Sequence, residues 1–213
     1  MLITDIPTFY INLEHRTDRN ASVLKEFAKV NIHKLERFNA IKKENGAIGC
    51  SLSHIKCLEM AIKNNYEYVL ICEDDIEILN PQLFVENINK FLNSSLQWDM
   101  VLIAGNNMLP YKLVNNCCIQ IFNCLTTTGY IVKKHYYNTL LSNYKEGVLQ
   151  LMKNPNEKAK YTIDKYWLKL QRQDRWYLII PPTIIQKPDY SDIEKKVTNF
   201  KNYMLDYNKV IKK

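Results

Sequence analysis

Residues Tyr68 to Asp75, Tyr-Val-Leu-Ile-Cys-Glu-Asp-Asp, change character within a single step. The run Tyr68–Cys72 is continuously apolar and rich in β-branched and aromatic side chains, the pattern of a strand covered on both faces. Such strands belong to sheets flanked by helices. The triplet Glu73-Asp74-Asp75 then falls at a strand's carboxyl end, where open α/β sheets bind their ligands. Three adjacent carboxylates repel one another and resist desolvation unless a cation compensates. Hard oxygen donors suit Mn2+ or Mg2+, so Glu73, Asp74 and Asp75 are the candidate metal ligands. A solvated acidic turn is the competing reading, because Glu-Asp-Asp alone is a common tripeptide.

Outward from this strand the same alternation recurs. Thr8–Leu13 reads as a strand, followed by Val23, Leu24, Phe27 and Ala28 at helical spacing, with Thr17 or Asp18 able to cap the helix. Ser51 or Ser53 can cap a second helix carrying Ile55, Leu58 and Ile62, after Gly46 and Gly49 have supplied backbone freedom. A helix through Phe84, Ile88, Phe91 and Leu92 leads to the buried strand Met100–Ala104. Asn106 and Asn107 follow it, as a turn or as contacts to the hydroxyls of a ligand. Cys118–Phe122 and Thr128–Val132 read as strands, Tyr137–Tyr144 as a helix face, and Lys145–Lys160 as a loop. Trp176–Ile180 is a last strand, stopped by Pro181-Pro182. Val197, Phe200, Met204 and Tyr207 form one stripe of a Lys-rich carboxyl-terminal helix, for which core packing is the first use and a membrane surface the second. Strands alternating with helices make an α/β sheet that becomes mixed toward its far edge.

Composition narrows the class. A chain of 213 residues is expected to form a single domain over residues 1–213. With 46% hydrophobic residues it can bury a substantial core, which excludes the disordered class. The net charge of +7 favours anionic partners such as nucleotides or phosphorylated sugars. Lys and Arg are dispersed rather than blocked, which argues against nucleic acid. Asp5 interrupts the amino terminus before any apolar run, and no stretch approaches the ~18–20 apolar residues of a membrane span, so a soluble, cytoplasmic chain is expected. Cys50, Cys57, Cys72, Cys117, Cys118 and Cys124 show no Cys-x-x-Cys or Cys/His metal spacing and read as buried thiols of a reducing compartment.

A second constellation runs from Asn12 to Arg19, Asn-Leu-Glu-His-Arg-Thr-Asp-Arg, across the first strand-to-helix turn. Arg16 and Arg19, with the backbone N–H groups of the helix start, can hold a diphosphate. Surface pairing of the two arginines with Glu14 and Asp18 is the plainer alternative. Both constellations fit one ligand, a nucleotide diphosphate gripped by the opening turn and bridged by a cation to the acidic triplet.

Five segments, FYINLEHRTDRN at 9–20, GAIGCSLSHIKCLEMAI at 46–62, YVLICEDDIEI at 68–78, TGYIVKKHYY at 128–137 and IIQKPDYSDIEKK at 184–196, resemble glycosyltransferase family 25 in the family's order. That family contains bacterial lipooligosaccharide sugar transferases and procollagen galactosyltransferases. The resemblance implies a GT-A type fold with a Rossmann-like mixed sheet, a UDP-hexose donor carrying galactose or glucose, and inversion at the anomeric carbon. It assigns nucleotide-sugar contacts to Asn12, Leu13, Arg16, Asp18, Arg19, Ser53, His54, Asp74 and Gln186. Inverting transfer also needs a carboxylate to take the acceptor's proton. Asp164, in Thr-Ile-Asp-Lys-Tyr-Trp, ranks first because the segment looks like a family position in a strand-to-helix region. Asp192 is the alternative, although it can also cap the terminal helix.

The expected function is thus a metal-dependent hexosyltransferase acting on a hydroxyl of a saccharide or of hydroxylysine. Its partners would be the UDP-sugar and the acceptor, with no nucleic acid, and a membrane surface through the basic terminal helix as an added reading. The rivals are a metal-dependent phosphodiesterase or nuclease built on the same triplet, and a family member that binds nucleotide or saccharide without turnover.

Overall fold

Alternate residues of the Tyr68 strand point to opposite sides of one sheet, and each side meets its own layer of helices. In the computed structural model, which describes residues 1–210, the first half of the chain forms β1 (Thr8–Asn12), α1 (Thr17–Ala28), β2 (Leu35–Asn39), α2 (Gly46–Lys63), β3 (Tyr68–Glu73), β4 (Ile76–Ile78) and α3 (Pro81–Leu92). The second half adds β5 (Met100–Asn107), β6 (Tyr111–Leu113), β7 (Cys118–Ile121), β8 (Cys124–Lys133) and α4 (Tyr137–Lys153). The single-turn helices α5 (Lys158–Tyr161), α6 (Ile163–Tyr166) and α7 (Leu168–Gln171) follow. Then come β9 (Trp176–Ile179), β10 (Ile184–Gln186), β11 (Asp189–Ser191), β12 (Lys196–Thr198) and α8 (Lys201–Leu205).

Eight strands form the main sheet in the order β2-β1-β3-β8-β5-β9-β7-β6. β1 runs parallel to β2 and β3, and β5 runs parallel to β9. β8 is antiparallel to both β3 and β5, and β7 is antiparallel to β9 and β6. This is the mixed sheet flanked by helices that the GT-A resemblance implies. Leu70 and Cys72 pack with Val23 and Phe27 of α1 and with Phe84, Ile88 and Phe91 of α3. Val69 and Ile71 pack on the other face, with Ile55 and Leu58 of α2, Tyr144 of α4, and Trp167 and Trp176. α1 and α2 therefore leave opposite faces of the sheet, and a crevice opens between them beyond the carboxyl ends of β1 and β3.

Several expectations are corrected. α2 starts at Gly46 with Asn45 as its cap, whose side-chain oxygen accepts from the Ala47 N–H. Ser51 and Ser53 lie inside the helix and donate to the carbonyls of Ala47 and Gly49 one turn back. Neither Thr17 nor Asp18 caps α1, because Arg16 occupies that position and makes no side-chain cap. The expected loop over Lys145–Lys160 is largely helical: α4 continues to Lys153 because Gly147, Val148 and Leu151 carry its buried face through the charged stretch. The terminal amphipathic helix is absent as well. Val197 sits exposed on β12, which forms a hairpin with β11, and only the five-residue α8 follows, with Met204 buried. The membrane reading based on that stripe loses its helix. Among the described residues no helix is long and apolar enough to cross a membrane.

Gly49 shows how tightly α2 meets the loop after β2. A Cβ there would run into the backbone carbonyl of Ile41, with the Lys43 nitrogen 3.4 Å away. Gly49→Ala should lower the unfolding free energy by about 1–3 kcal/mol through overpacking. The expected signature is a lower urea midpoint at an unchanged slope.

Candidate active site

The parallel register that pairs Ile11 with Glu73 sets the next residues, Asn12 and Asp74, side by side. Asn12 Nδ2 donates to Asp74 Oδ2 at 2.7 Å and to the Arg16 carbonyl at 3.0 Å. On the first turn of α1, Arg19 Nη1 reaches Asp74 Oδ1 at 2.9 Å and Asp75 Oδ2 at 3.4 Å. β4 pairs with β10 so that Ile76 faces Gln186, and Gln186 Nε2 donates to Asp75 Oδ2 at 2.8 Å. The opening turn and the acidic cluster thus meet directly.

The β11–β12 hairpin closes over them. Arg16 donates to Asp192 Oδ2 at 2.7 Å, to Asp189 Oδ2 at 3.0 Å and to both oxygens of Asp18. Arg19 Nε donates to Asp189 Oδ2 at 3.1 Å, and its Nη2 to the Tyr190 carbonyl at 2.8 Å. Five carboxylates therefore surround two guanidiniums. The excess of negative charge falls on the buried end of the cluster. Burial, followed by the charges of Glu73 and Asp74, pushes the Asp75 carboxyl up to about 7. Burial raises Asp74 as well, against Arg19 and Asn12. Asp75 Oδ1 is buried with no hydrogen-bond partner. An orphaned carboxylate oxygen in an over-acidic, all-oxygen cluster fits a divalent hard cation, with Asp74 and Asp75 as its holders.

Glu73 faces elsewhere, because it shares the α2-facing side of β3 with Val69 and Ile71. Its Oε1 accepts from Thr127 Oγ1 at 2.6 Å, and His54 Nε2 and Cys50 Sγ lie 3.4 and 3.5 Å from the same oxygen. Burial raises the Glu73 carboxyl, but hydrogen bonds from His54 and Thr127 hold it below its ordinary value. His54 is fully buried, and its Nδ1 lies 2.8 Å from the Tyr130 hydroxyl. The neighbouring Thr126 has φ of 73°, a left-handed conformation that a β-branched residue adopts only when its surroundings enforce it. From there its N–H donates to Asp164 Oδ2 at 3.2 Å.

Two cavities of about 380 and 420 Å³ meet at Cys50, Glu73, Gln186, Ser191 and Ile193. Of the residues expected to touch a nucleotide-sugar, Leu13, Arg19, Ser53, His54, Asp74 and Gln186 line the smaller one, whereas Asn12, Arg16 and Asp18 do not. Asp164 lines the larger cavity. It sits on α6 within a run of short helices rather than at a strand-to-helix junction, and its Oδ1 accepts from Thr162 Oγ1 at 3.0 Å. Asp192 caps no helix and is paired with Arg16. Cys50, Thr126, Thr127 and Asp189 escaped sequence reasoning. Asp189 lies within the family-like segment 184–196, and Cys50 stands four residues before His54, a helical spacing that places both on one face.

The raised Asp75 carboxyl has a thermodynamic consequence. Between the unfolded value of ~3.9 and about 7, the folded chain keeps a proton that the unfolded chain has released. Rising pH therefore removes stability across that window. Asp75→Asn abolishes this contribution, so its stability relative to wild type should increase from pH 4 toward about 7 and then level off. Paired urea unfolding curves across that range measure it, and a flat difference would show that Asp75 ionises normally.

The model of glycosyltransferase family 25 (LPS biosynthesis protein) matches residues 44–209, well over half of the chain. A Haemophilus influenzae (strain Rd) protein with a provisional glycosyltransferase name is 41% identical over 56 residues, which are 26% of this chain and 20% of that protein. The match thus spans only a fifth of that relative's length. Among solved structures, a glycosyltransferase involved in glycosylation of the major capsid of PBCV-1 aligns with TM-score 0.46 and 12% identity, over 82% of this chain and 93% of the other. A mutant Drosophila galactosyltransferase in complex with manganese, UDP-Gal and xylobiose aligns with TM-score 0.41 and 10% identity, over 96% of this chain and 75% of the other. These structural likenesses are loose, and the assignment stands on the family match over residues 44–209. On that match, the chain belongs to glycosyltransferase family 25.

Proposed function

We propose that the protein is a metal-dependent inverting transferase that moves galactose or glucose from a UDP-sugar to a hydroxyl of a saccharide or hydroxylysine acceptor, within one domain. The observation that carries this reading is the abutment of two cavities at Glu73, Cys50 and Gln186. In the smaller cavity Lys42, Lys43 and Lys195 join Arg19 as cations for a diphosphate, and Ile11, Leu13 and Ile41 offer apolar walls to a nucleoside. A divalent cation held by Asp74 and Asp75 would offset the charge of the departing diphosphate. The larger cavity suits a polyol. Asn106 and Thr126, which line it, each keep a buried side-chain oxygen without a protein partner, and Phe200 adds an apolar face.

Asp164 is the preferred base. Thr162 and the Thr126 N–H orient its carboxylate at the wall of the larger cavity, whereas Asp192 is engaged by Arg16 at 2.7 Å. The acceptor hydroxyl gives its proton to Asp164 while its oxygen attacks the anomeric carbon, and the bond from that carbon to the diphosphate oxygen breaks.

The test has two stages. UDP-galactose or UDP-glucose should raise the melting temperature when Mn2+ is present, and UDP should be released once an acceptor is added. Asp164→Asn should reduce that release ~10²–10⁴-fold while the donor-induced stabilisation persists. The absence of metal-dependent stabilisation by any UDP-sugar would overturn the reading. Cleavage of nucleic acid with Mg2+ would favour the phosphodiesterase, and binding of UDP without release would favour a non-catalytic binder.

A further inference from the structure

Among the described residues, one trio of metal-ligating side chains comes together, and it does not include Asp74 or Asp75. Cys50 and His54, one turn apart on α2, meet Glu73 from the end of β3, with their ligand atoms all within 4.8 Å of one another. We propose that Cys50, His54 and Glu73 form a zinc site whose fourth position opens onto the two cavities.

The distances argue for it. Glu73 Oε1 lies 3.5 Å from Cys50 Sγ and 3.4 Å from His54 Nε2, the second a long N–H···O hydrogen bond. Tetrahedral zinc, with bonds of about 2.3 Å to sulfur and about 2.0–2.2 Å to nitrogen and oxygen, has ligand-to-ligand edges of about 3.3–3.6 Å. Both separations match edges of that polyhedron.

The surroundings supply what a zinc site needs beyond its ligands. A ligating imidazole is held by a partner on its other ring nitrogen, and His54 Nδ1 meets the buried Tyr130 hydroxyl at 2.8 Å. The carboxylate is oriented by Thr127 Oγ1 at 2.6 Å. Charge also balances: a thiolate, a carboxylate and a neutral imidazole cancel Zn2+, so the occupied site is neutral in the wall between the cavities. On binding, the Cys50 thiol loses its proton to solvent and its sulfur takes the metal. Cys50 and Glu73 both line both cavities, which leaves the remaining position to water or to an oxygen of a bound molecule. Sulfur and nitrogen donors select against Mn2+ and Mg2+, so this trio and the Asp74–Asp75 pair prefer different ions.

Cobalt reports the site in the full-length chain, purified with a chelator and a non-thiol reductant and then freed of both. Titration with Co2+ should produce a near-ultraviolet thiolate-to-cobalt band and the visible bands of tetrahedral cobalt, saturating at about one metal per chain and removed by Zn2+. Cys50→Ser should abolish the near-ultraviolet band, whereas Cys57→Ser and Asp75→Asn should retain it. In the wild-type chain, Zn2+ should also protect Cys50 from alkylation by iodoacetamide, read by mass spectrometry, which does not depend on the folding of any variant. Absence of the band, its survival in Cys50→Ser, or alkylation of Cys50 unaffected by zinc would overturn the proposal. No sugar transfer enters these measurements, so failure of the zinc site and failure of the transferase reading are separately visible.

Discussion

Arg19 ties together three parts of the chain that lie far apart in sequence. Its guanidinium, only 13% exposed, contacts Asp74 and Asp75 at the end of β3, and Asp189 and the Tyr190 carbonyl on the β11–β12 hairpin, while its own backbone belongs to α1. Carboxylates brought this close and partly dehydrated repel one another, and removing a buried partner of this kind typically costs about 3–5 kcal/mol. This cation stands between the hairpin and the acidic turn and offsets the repulsion of their carboxylates. Arg16 repeats the arrangement one turn earlier with Asp189 and Asp192. The roof of the smaller cavity, formed in part by Ser191, Asp192 and Ile193, is therefore fastened by ion pairs, together with the close packing of Ile193 on Gly46 of α2.

The two arginines also mark where sequence reading stopped. Their residue types pointed to an anion, and their local spacing suggested Glu14 and Asp18 as the alternative partners. Of these only Asp18 is engaged, and the other partners come from residues 74, 75, 189 and 192. Partners that distant follow from strand pairing, above all β1 with β3 and β4 with β10, which no one-dimensional spacing encodes. Where the signal is local, the sequence was legible. The apolar runs of β3 and β5 and the buried face of α3 are where periodicity puts them, whereas on α1 only Val23 and Phe27 of the expected stripe are buried and Leu24 and Ala28 face solvent.

The failures have physical causes too. Val197, Phe200, Met204 and Tyr207 fall at helical intervals, yet Lys195 takes a left-handed conformation with φ of 53° in the turn between β11 and β12, and the hairpin wins over a continuous helix. The Lys145–Lys160 stretch looked like a loop because it is rich in Lys, Asn and Glu and contains Pro155. Gly147, Val148 and Leu151 are nonetheless spaced to keep one face of α4 buried. The cysteines were dismissed for lack of a short metal motif, although a Cys-x-x-x-His spacing becomes meaningful once the segment is known to be helical.

The acidic triplet offers the most general lesson, because strand geometry sorts neighbouring residues. Side chains on a strand alternate between faces. Glu73, the last residue of β3, follows Val69 and Ile71 toward α2, where it meets the Cys50–His54 face, whereas Asp74 and Asp75 lie in the turn before β4 and meet Arg19 on the α1 side. Three consecutive carboxylates that look like one ligand set are thus divided between an all-oxygen environment beside a guanidinium and a sulfur–nitrogen environment beside a tyrosine. A divalent ion at each would see different donors, different net charge and different softness, although both sites border the smaller cavity. Adjacent carboxylates are divided here because the strand ends between Glu73 and Asp74, so the first obeys the alternation of β3 and the other two follow the turn.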